Sequence, residues 1–431
     1  MTRAQQVSVP TLAGILYLAL ILPPEFSVTL GGLRLTPYRV FLLGMTVPLL
    51  LRLLQNSRQP PHVVDYLVMA HAAWVVLALT VYDGISTGLE SGGIYVVESL
   101  GAYLLGRLAV TSAQEHRALI RFMVTVLCVM FLFTLPESLS GKHLIREAAR
   151  AVAGGPGLPV IEPRLGLDRA FGSFDHPILY GVFAASTFAA TYYVLAREQL
   201  RPKAIGLMGI VGGSAFLSLS AGPFVGLACQ GALLAWDRLT KGISLRWWAL
   251  SGVFFLMWFA VSLGSNRSPI KVFISYLTFS PQSAYNRILI WEYGTAEVGR
   301  HPIFGIGFGD WIRAPWMSDS MDNFWLVTAV RYGLPALGFL IAAIVVLAMR
   351  QARVSGRNSE LNRHRMAWMV IIVGLAVSGF TVHFWNAVFV YFFFLIGTGA
   401  WMVYPPRRRP TWMPARSHPP VGNNPAPAGA Y

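Results

Sequence analysis

The stretch MDNFWLVTAVRYGLPALGFL, residues 321–340, is apolar over most of its length and yet carries charge. About 20 mostly apolar residues make a helix long enough to cross a bilayer, so this stretch predicts a membrane span. Asp322 and Asn323 lie at its start, and Arg331 lies well inside it. Because a charged side chain at the bilayer centre costs roughly 2.5–3.5 kcal/mol on insertion scales, each charge here requires a partner or a function.

The whole chain has the composition of a membrane protein. Of its 431 residues, 55% are hydrophobic and only 12% are charged, and the mean hydropathy is +0.54. Soluble domains carry about 25% charged residues. The sequence therefore predicts an all-α polytopic membrane protein. Its apolar segments predict twelve spans near 7–22, 37–54, 63–82, 93–110, 118–135, 176–196, 203–219, 222–236, 246–264, 322–349, 366–384 and 386–404.

The basic residues of the chain follow membrane topology. With the amino terminus placed in the cytoplasm, 21 of the 34 Lys and Arg residues fall on the cytoplasmic side. This is the positive-inside rule, so both termini are predicted to be cytoplasmic, and nucleic acid is not an expected partner despite the net charge of +15. Residues 1–404 then form a transmembrane domain, and residues 405–431, rich in Pro, Ala and Arg, form a disordered cytoplasmic tail.

Two long outer loops, residues 136–175 and 265–321, carry positive charge that topology does not require. The first contains EPRLGLDRAFGSFDHP, which places Arg164, Arg169 and His176 close to the start of the sixth predicted span. Arginines on this side favour the binding of an anion. Asp175 equally fits a cap for the helix that follows, because carboxylates accept hydrogen bonds from the free N–H groups there. His176 equally fits a packing or hydrogen-bonding residue.

The second long loop contains a predicted helix and a glycine-rich turn. Apolar residues at helical spacing predict a helix over 285–300 that lies on the outer membrane surface, with Arg287 and Arg300 off the apolar stripe. The stripe consists of Ile288, Trp291, Thr295 and Val298. The alternating glycines of HPIFGIGFGD, residues 301–310, favour a tight turn that re-enters the membrane. A phosphate cradle is the alternative, but neither G-x-G-x-x-G nor a P-loop lysine accompanies these glycines.

The quoted stretch separates its charges if residues 322–349 form one continuous helix. Asp322 and Gly333 then share one face, and Arg331 lies roughly opposite, ~13 Å deeper. Arg331 needs a partner elsewhere, for which Glu98 or Asp83 are candidates, or a water-filled cavity. The structural alternative for Arg331 is a buried ion pair, and the structural alternative for Asp322 is a helix cap.

Three motifs in order on the predicted outer face resemble the O-antigen ligase and polymerase superfamily. They are RAFGSFDHP at 169–177, NRILIW at 286–291 followed by HPIFGIGFG at 301–309, and DNFWLVTAVRYG at 322–333. The resemblance implies an all-α, GT-C-like fold with about 12 spans and a large periplasmic loop between the ninth and tenth. It also implies a bacterial inner-membrane protein that transfers lipid-linked glycans at the periplasmic face.

Departures from the family pattern favour one branch of the superfamily. The histidine position of the ligases is Asp322 here, and Ser220 is followed by Ala221 where the family often has arginine. The chain therefore resembles polymerases of exopolysaccharide or O-antigen repeat units more than lipopolysaccharide ligases.

The resemblance implies a donor glycan on undecaprenyl diphosphate, an acceptor sugar hydroxyl, and no metal or other cofactor. Arg169 and Arg287 are the expected cations for the diphosphate leaving group, and Asp322 is the expected general base. Further substrate contacts are expected from Arg164, His176, Arg300, Asn323 and Arg331. The implied partners are the lipid-linked oligosaccharide, membrane lipids, a flippase and a chain-length regulator.

Two other functions fit parts of the pattern. An O-antigen ligase would use the same donor but transfer the glycan to lipid A core or another acceptor. A transporter of lipid-linked sugars would spread charges through the middle of the membrane, whereas here they gather at one face, with Glu98, Arg107 and Arg331 as exceptions. The sequence contains no H-E-x-x-H, no D-x-D and no Cys/His cluster, so it does not support a metal site.

Overall fold

The computed structural model describes residues 10–55, 60–155, 157–196, 201–276, 281–354 and 359–403. The predicted tail, residues 405–431, lies outside the described residues. The described chain is mostly helical, and its only strands are β1 (Val28–Leu30) and β2 (Leu33–Leu35), an antiparallel pair in which Val28 faces Leu35 and Leu30 faces Leu33. This hairpin, which the sequence analysis did not predict, lies between the first two helices.

The helices follow the predicted apolar segments in order. The first nine are α1 (Thr11–Ile21), α2 (Pro37–Gln55), α3 (Val63–Asp83), α4 (Ile85–Val96), α5 (Ala102–Ala109), α6 (Ala113–Ser140), α7 (Leu144–Ala153), α8 (Pro177–Ala185) and α9 (Phe188–Ala190). The others are α10 (Arg201–Leu217), α11 (Ala221–Leu239), α12 (Arg246–Gly264), α13 (Pro269–Tyr276), α14 (Pro281–Arg300), α15 (Phe324–Arg353), α16 (Ser359–Gly379) and α17 (Asn386–Thr398). Wide π turns at Val97–Gly101 and Thr191–Leu195 continue α4 into α5 and follow α9.

Seven helical segments in the described part of the chain are long and apolar enough to cross a membrane. They are Pro37–Gln55, Val63–Asp83, Ala113–Ser140, Pro177–Leu195, Arg246–Gly264, Phe324–Arg353 and Asn386–Val403. Thr11–Ile21 and Pro202–Leu217 are apolar but shorter. The chain is thus an all-α membrane protein, as the composition predicts.

The two long loops that the sequence analysis predicted contain helices of their own. The first begins later than predicted, because α6 continues through Pro136 to Ser140, and it contains α7. The second contains α13 and α14. Both loops lie at the end of the molecule where α6 ends and where α8 and α15 begin, and we call this end the loop end.

Helix α17 lies at the centre of the bundle, whereas α12 lies at its edge. Every residue of α17 from Ala387 to Thr398 is buried. A Cβ placed on Gly397 would lie only 2.2 Å from the carbonyl oxygen of Tyr103, so this glycine allows α17 and α5 to pack closely. No residue of α12 is buried.

Glu98 and Arg107, two of the charged residues that do not gather at one face, each have a partner of opposite charge. Glu98 accepts a hydrogen bond from Arg39 at 2.6 Å, and Arg107 lies 3.3 Å from Asp65. Pairing of this kind offsets the cost of removing each charge from water. Glu98, one of the two candidate partners, is therefore not the partner of Arg331.

Helix α15, which holds the quoted stretch, is broken at Gly333. Its φ of 80° and ψ of 169° are not helical, and such a positive φ favours glycine. The glycine-rich turn fills the break, because the N–H groups of Ile306 and Gly307 donate to the carbonyls of Val330 and Arg331 at 2.9 and 3.0 Å. The expected tight turn is present, and its function is to complete the hydrogen bonding of an interrupted helix.

The break changes the position of Arg331. The expectation of one continuous helix over 322–349 is wrong, since the helix starts at Phe324 and is interrupted at Gly333. Arg331 is exposed, and its guanidinium lies 5.4 Å from the ring centroid of Phe308. Asp83, the other predicted partner, accepts a hydrogen bond from the Phe308 N–H at 3.1 Å.

Candidate functional site

The segment 164–176 lies at the loop end and is held by the end of α6. Glu137, which is almost fully buried, accepts hydrogen bonds from the N–H groups of Phe171 at 2.9 Å and Gly172 at 3.1 Å, and pairs with His143 at 2.7 Å. Ser138 donates to the carbonyl of Asp168 at 2.6 Å. Buried main-chain groups need partners, so these side chains fix the backbone on which the predicted arginines lie.

Arg164 and Arg169 both reach the turn between α10 and α11. The Arg164 guanidinium donates to the carbonyl of Leu219 at 3.1 Å. The Arg169 guanidinium donates to the hydroxyl of Ser220 at 2.7 Å and to the carbonyl of Ser218 at 3.3 Å. Each guanidinium has five N–H donors, so these contacts orient the groups and leave further donors for a ligand.

His176, rather than Asp175, caps α8. The Nδ1 atom of His176 accepts a hydrogen bond from the Ile178 N–H at 3.1 Å, while Asp175 accepts one from the Asn386 amide at 2.9 Å. The alternative of a cap at Asp175 is wrong. Because Nδ1 is an acceptor, the proton of the neutral imidazole is on Nε2, and His176 can donate a hydrogen bond to a ligand.

Arg287 lies on the inner side of α14, and the predicted stripe does not match the buried face. The buried residues of α14 include Ala284, Ile290 and Gly294, and Thr295 of the predicted stripe is exposed. A Cβ on Gly294 would lie 2.4 Å from the side chain of Leu326, so α14 packs tightly on α15 there. This contact turns the Arg287 side of α14 toward the interior of the loop end.

Asp322 precedes α15 and is not its cap. Asn323 caps the helix, because its side-chain oxygen accepts from the Leu326 N–H at 3.0 Å. The alternative of a cap at Asp322 is therefore wrong. Its carboxylate accepts a hydrogen bond from the Ser320 hydroxyl at 3.2 Å and is partly accessible.

These segments surround one cavity of about 510 Å³. Its wall includes five of the predicted site residues, which the structure brings together from three separate segments of the chain: Arg164, Arg169, His176, Arg287 and Asp322. Ser220, Ala221 and Gly222, at the start of α11, also line it. The first N–H groups of a helix are donors without partners inside the helix, so they add positive potential to this wall.

The positive groups of the cavity repel one another. Burial, and then the charge of Arg164, lower the pKa of Arg169 to about 10. Burial also lowers the pKa of Arg287, where Asp322 opposes the shift and Arg164 adds to it. Burial, and then Arg169 and Arg164, lower the pKa of His176 to about 4, so this imidazole is neutral at pH 7. A multiply charged anion would relieve this repulsion.

Three predicted site residues lie outside the cavity wall. Arg300, at the far end of α14, pairs with Glu297 at 2.5 Å. Asn323 is 3% exposed and is used as a helix cap. Arg331 lies beside Phe308 at the break in α15.

Sequence reasoning missed Glu137 and the turn at Ser220. The glutamate lies in LPESLS at the end of an apolar run, where a loop was expected to begin. The turn departs from the family motif, but its Ser-Ala-Gly-Pro sequence between two apolar runs is typical of a helix start. Within the described ranges, no three His, Cys, Asp or Glu side chains come together as a metal site would require.

Comparison with known proteins adds no assignment to this geometry. No protein-family model matches the chain, and no curated protein matches it significantly.

Proposed function

We propose that this chain is a metal-independent membrane glycosyltransferase that acts on glycans linked to undecaprenyl diphosphate and polymerises repeat units of exopolysaccharide or O-antigen. One observation carries the proposal. Arg164, Arg169 and Arg287 converge on one cavity, and Asp322 lies on the same wall. Guanidinium groups stay ionised and bind phosphate oxygens in a bidentate manner, which suits a diphosphate leaving group.

The proposal includes a topology finer than the seven clear spans. In it the chain crosses the bacterial inner membrane twelve times in a GT-C-like arrangement, with a large loop between the ninth and tenth spans and both termini in the cytoplasm. The excess of Lys and Arg on the opposite side supports a periplasmic position for the cavity.

The volume of the cavity supports a polar head group as ligand. Small-molecule sites are commonly about 300–1,000 Å³, and 510 Å³ suits a diphosphate with an adjoining sugar. A polyprenyl chain is far larger and would remain in the bilayer.

The proposed reaction is the transfer of the glycan to a sugar hydroxyl. The acceptor oxygen forms a bond to the anomeric carbon as the bond between that carbon and the diphosphate oxygen breaks. The electron pair of the broken bond leaves with the lipid diphosphate, where Arg169 and Arg287 stabilise the charge. The acceptor proton moves to the carboxylate of Asp322, a general-base step that contributes typically 10²–10⁴-fold to rates.

Pairing of the charges inside the bundle argues against a transporter. A polar pathway through the membrane needs ionisable groups that can meet the substrate. Glu98 and Arg107 are instead engaged by Arg39 and Asp65.

The proposal is tested with purified protein and a lipid-linked repeat unit. Arg169→Ala, Arg287→Ala and Asp322→Asn should each slow chain growth by about 10²–10³-fold, the usual effect of removing one transition-state contact. Arg267→Ala is the matched control, because it removes an exposed arginine of the same long loop that does not line the cavity, and it should leave the rate unchanged. Full activity in any two of the first three variants contradicts the site. A product moved to lipid A core instead of lengthened on its lipid carrier identifies a ligase.

A further inference from the structure

A row of rings leads away from the cavity along the loop end. Trp385 lies 5.8 Å from His176, which lines the cavity, and 6.2 Å from His383 between ring centroids. His383 lies 6.4 Å from Phe324, two residues after Asp322. The row therefore runs from the wall of the cavity to Phe324 at the start of α15, two residues after the proposed base.

The central rings of the row lie in near-parallel planes. The planes of Trp385 and His383 differ by 19°, and those of His383 and Phe324 by 23°. Near-parallel rings with centroids more than 6 Å apart are displaced sideways and do not cover each other's faces fully. Trp385 and His383 are partly accessible, whereas Phe324 is buried.

His383 supplies a polar group within this row. Its Nδ1 atom is buried and has no hydrogen-bond partner among the described residues. A buried N–H without a partner is costly, so the proton belongs on Nε2, which becomes the nitrogen that can donate to a ligand.

Further polar groups border the row. Asn386 donates to Asp175 at 2.9 Å, and Arg34 lies 3.9 Å from the same carboxylate. Sugar rings present apolar C–H groups on their faces and hydroxyls around their edges. A flat aromatic face bordered by donors and acceptors matches both parts of such a ring, because the negative face of an aromatic ring attracts C–H groups.

We propose that Trp385 and His383 form a sugar-binding platform that holds a ring of the acceptor glycan beside Asp322. The acceptor role rests on the proposed function, whereas sugar binding by the platform does not.

The experiment uses the full chain in lipid nanodiscs and a mixture of maltose, cellobiose and lactose. Saturation-transfer NMR should show transfer to the sugar C–H protons, and Trp385→Ala should weaken binding about tenfold, near the upper range for the loss of one aromatic contact. Trp385→Phe keeps an aromatic face and should retain most of the binding. Trp248→Ala is the matched control, since Trp248 is exposed at the start of α12, at the opposite end of the molecule from the cavity, and it should bind as the wild type does.

A second measurement separates the platform from the cavity. Inorganic diphosphate, followed by ³¹P NMR, should bind the wild type and Trp385→Ala equally and should be lost in Arg169→Ala. No transfer to any of the sugars, or equal sugar binding in the wild type and Trp385→Ala, overturns the platform. If sugar binding depends on Trp385 but diphosphate binds the wild type and Arg169→Ala equally, the platform is supported and the proposed function is contradicted.

Discussion

Replacement of Glu137 by alanine should release the segment that carries Arg169. The carboxylate of Glu137 accepts the N–H groups of Phe171 and Gly172, and without it both become buried donors with no acceptor. Each buried donor without an acceptor costs about 1–3 kcal/mol, so the free energy needed to open each amide to solvent should fall by that amount. Since 1.4 kcal/mol is tenfold, hydrogen exchange at the two amides should accelerate about 5- to 150-fold.

Hydrogen exchange followed by mass spectrometry on a peptide that covers 164–176 measures this change. Glu137→Gln keeps one acceptor oxygen and should show an intermediate effect. Glu162→Ala is the control, because Glu162 is an exposed glutamate of the same loop and its removal should leave exchange unchanged. Unchanged exchange at residues 171 and 172 in Glu137→Ala would refute the role of this carboxylate.

Two further predictions concern the backbone of the site and its dependence on pH. Gly333→Ala should prevent normal folding, because at a φ of 80° its Cβ would lie 1.9 Å from the carbonyl oxygen of Ile303. Gly338→Ala in the same helix is the control, since its Cβ would meet no atom within 4 Å and the variant should fold. The yield of monodisperse protein measures both outcomes. The pKa of His176 is lowered to about 4 in the folded protein, so its contribution to stability is present above the unfolded value of about 6.5 and is lost as the pH falls toward 4. His176→Asn keeps a capping side chain without this titration, and its apparent Tm should fall less than that of the wild type between pH 7 and pH 4.5; equal losses would contradict the assignment.

Five of the eight residues predicted for the site line one cavity, whereas several features around them were predicted wrongly. Positive charge in the long loops that topology does not require draws attention to Arg169 and Arg287, and the resemblance to the O-antigen ligase and polymerase superfamily implies roles for these arginines and for Asp322; the structure brings all three to one cavity. Their catalytic roles stay predictions. The face of α14 was predicted wrongly because a count of apolar residues cannot recognise a face made of Gly294, which packs closely, and Arg287, which meets a polar cavity.

Interactions between distant segments explain the other differences. Nothing near Gly333 in the sequence reveals that the turn at Ile306 would complete its interrupted hydrogen bonds. Similarly, the choice between Asp175 and His176 as the cap of α8 depends on Asn386, which follows more than 200 residues later and engages the aspartate. Local propensity permits either cap, and tertiary contact decides between them.

The break in α15 has a mechanical consequence, because a glycine with positive φ inside a long helix would usually suggest a hinge. Here the carbonyl of Tyr332 accepts from the indole of Trp74 at 3.1 Å, and the Leu334 N–H donates to Pro302 at 2.8 Å, in addition to the two bonds from the turn. Four hydrogen bonds, worth about 0.5–1.5 kcal/mol each, would have to open for the helix to bend. The two halves of α15 are therefore stiffly coupled to the turn and to α3, and any flexing that admits a substrate must take place in other parts of the molecule.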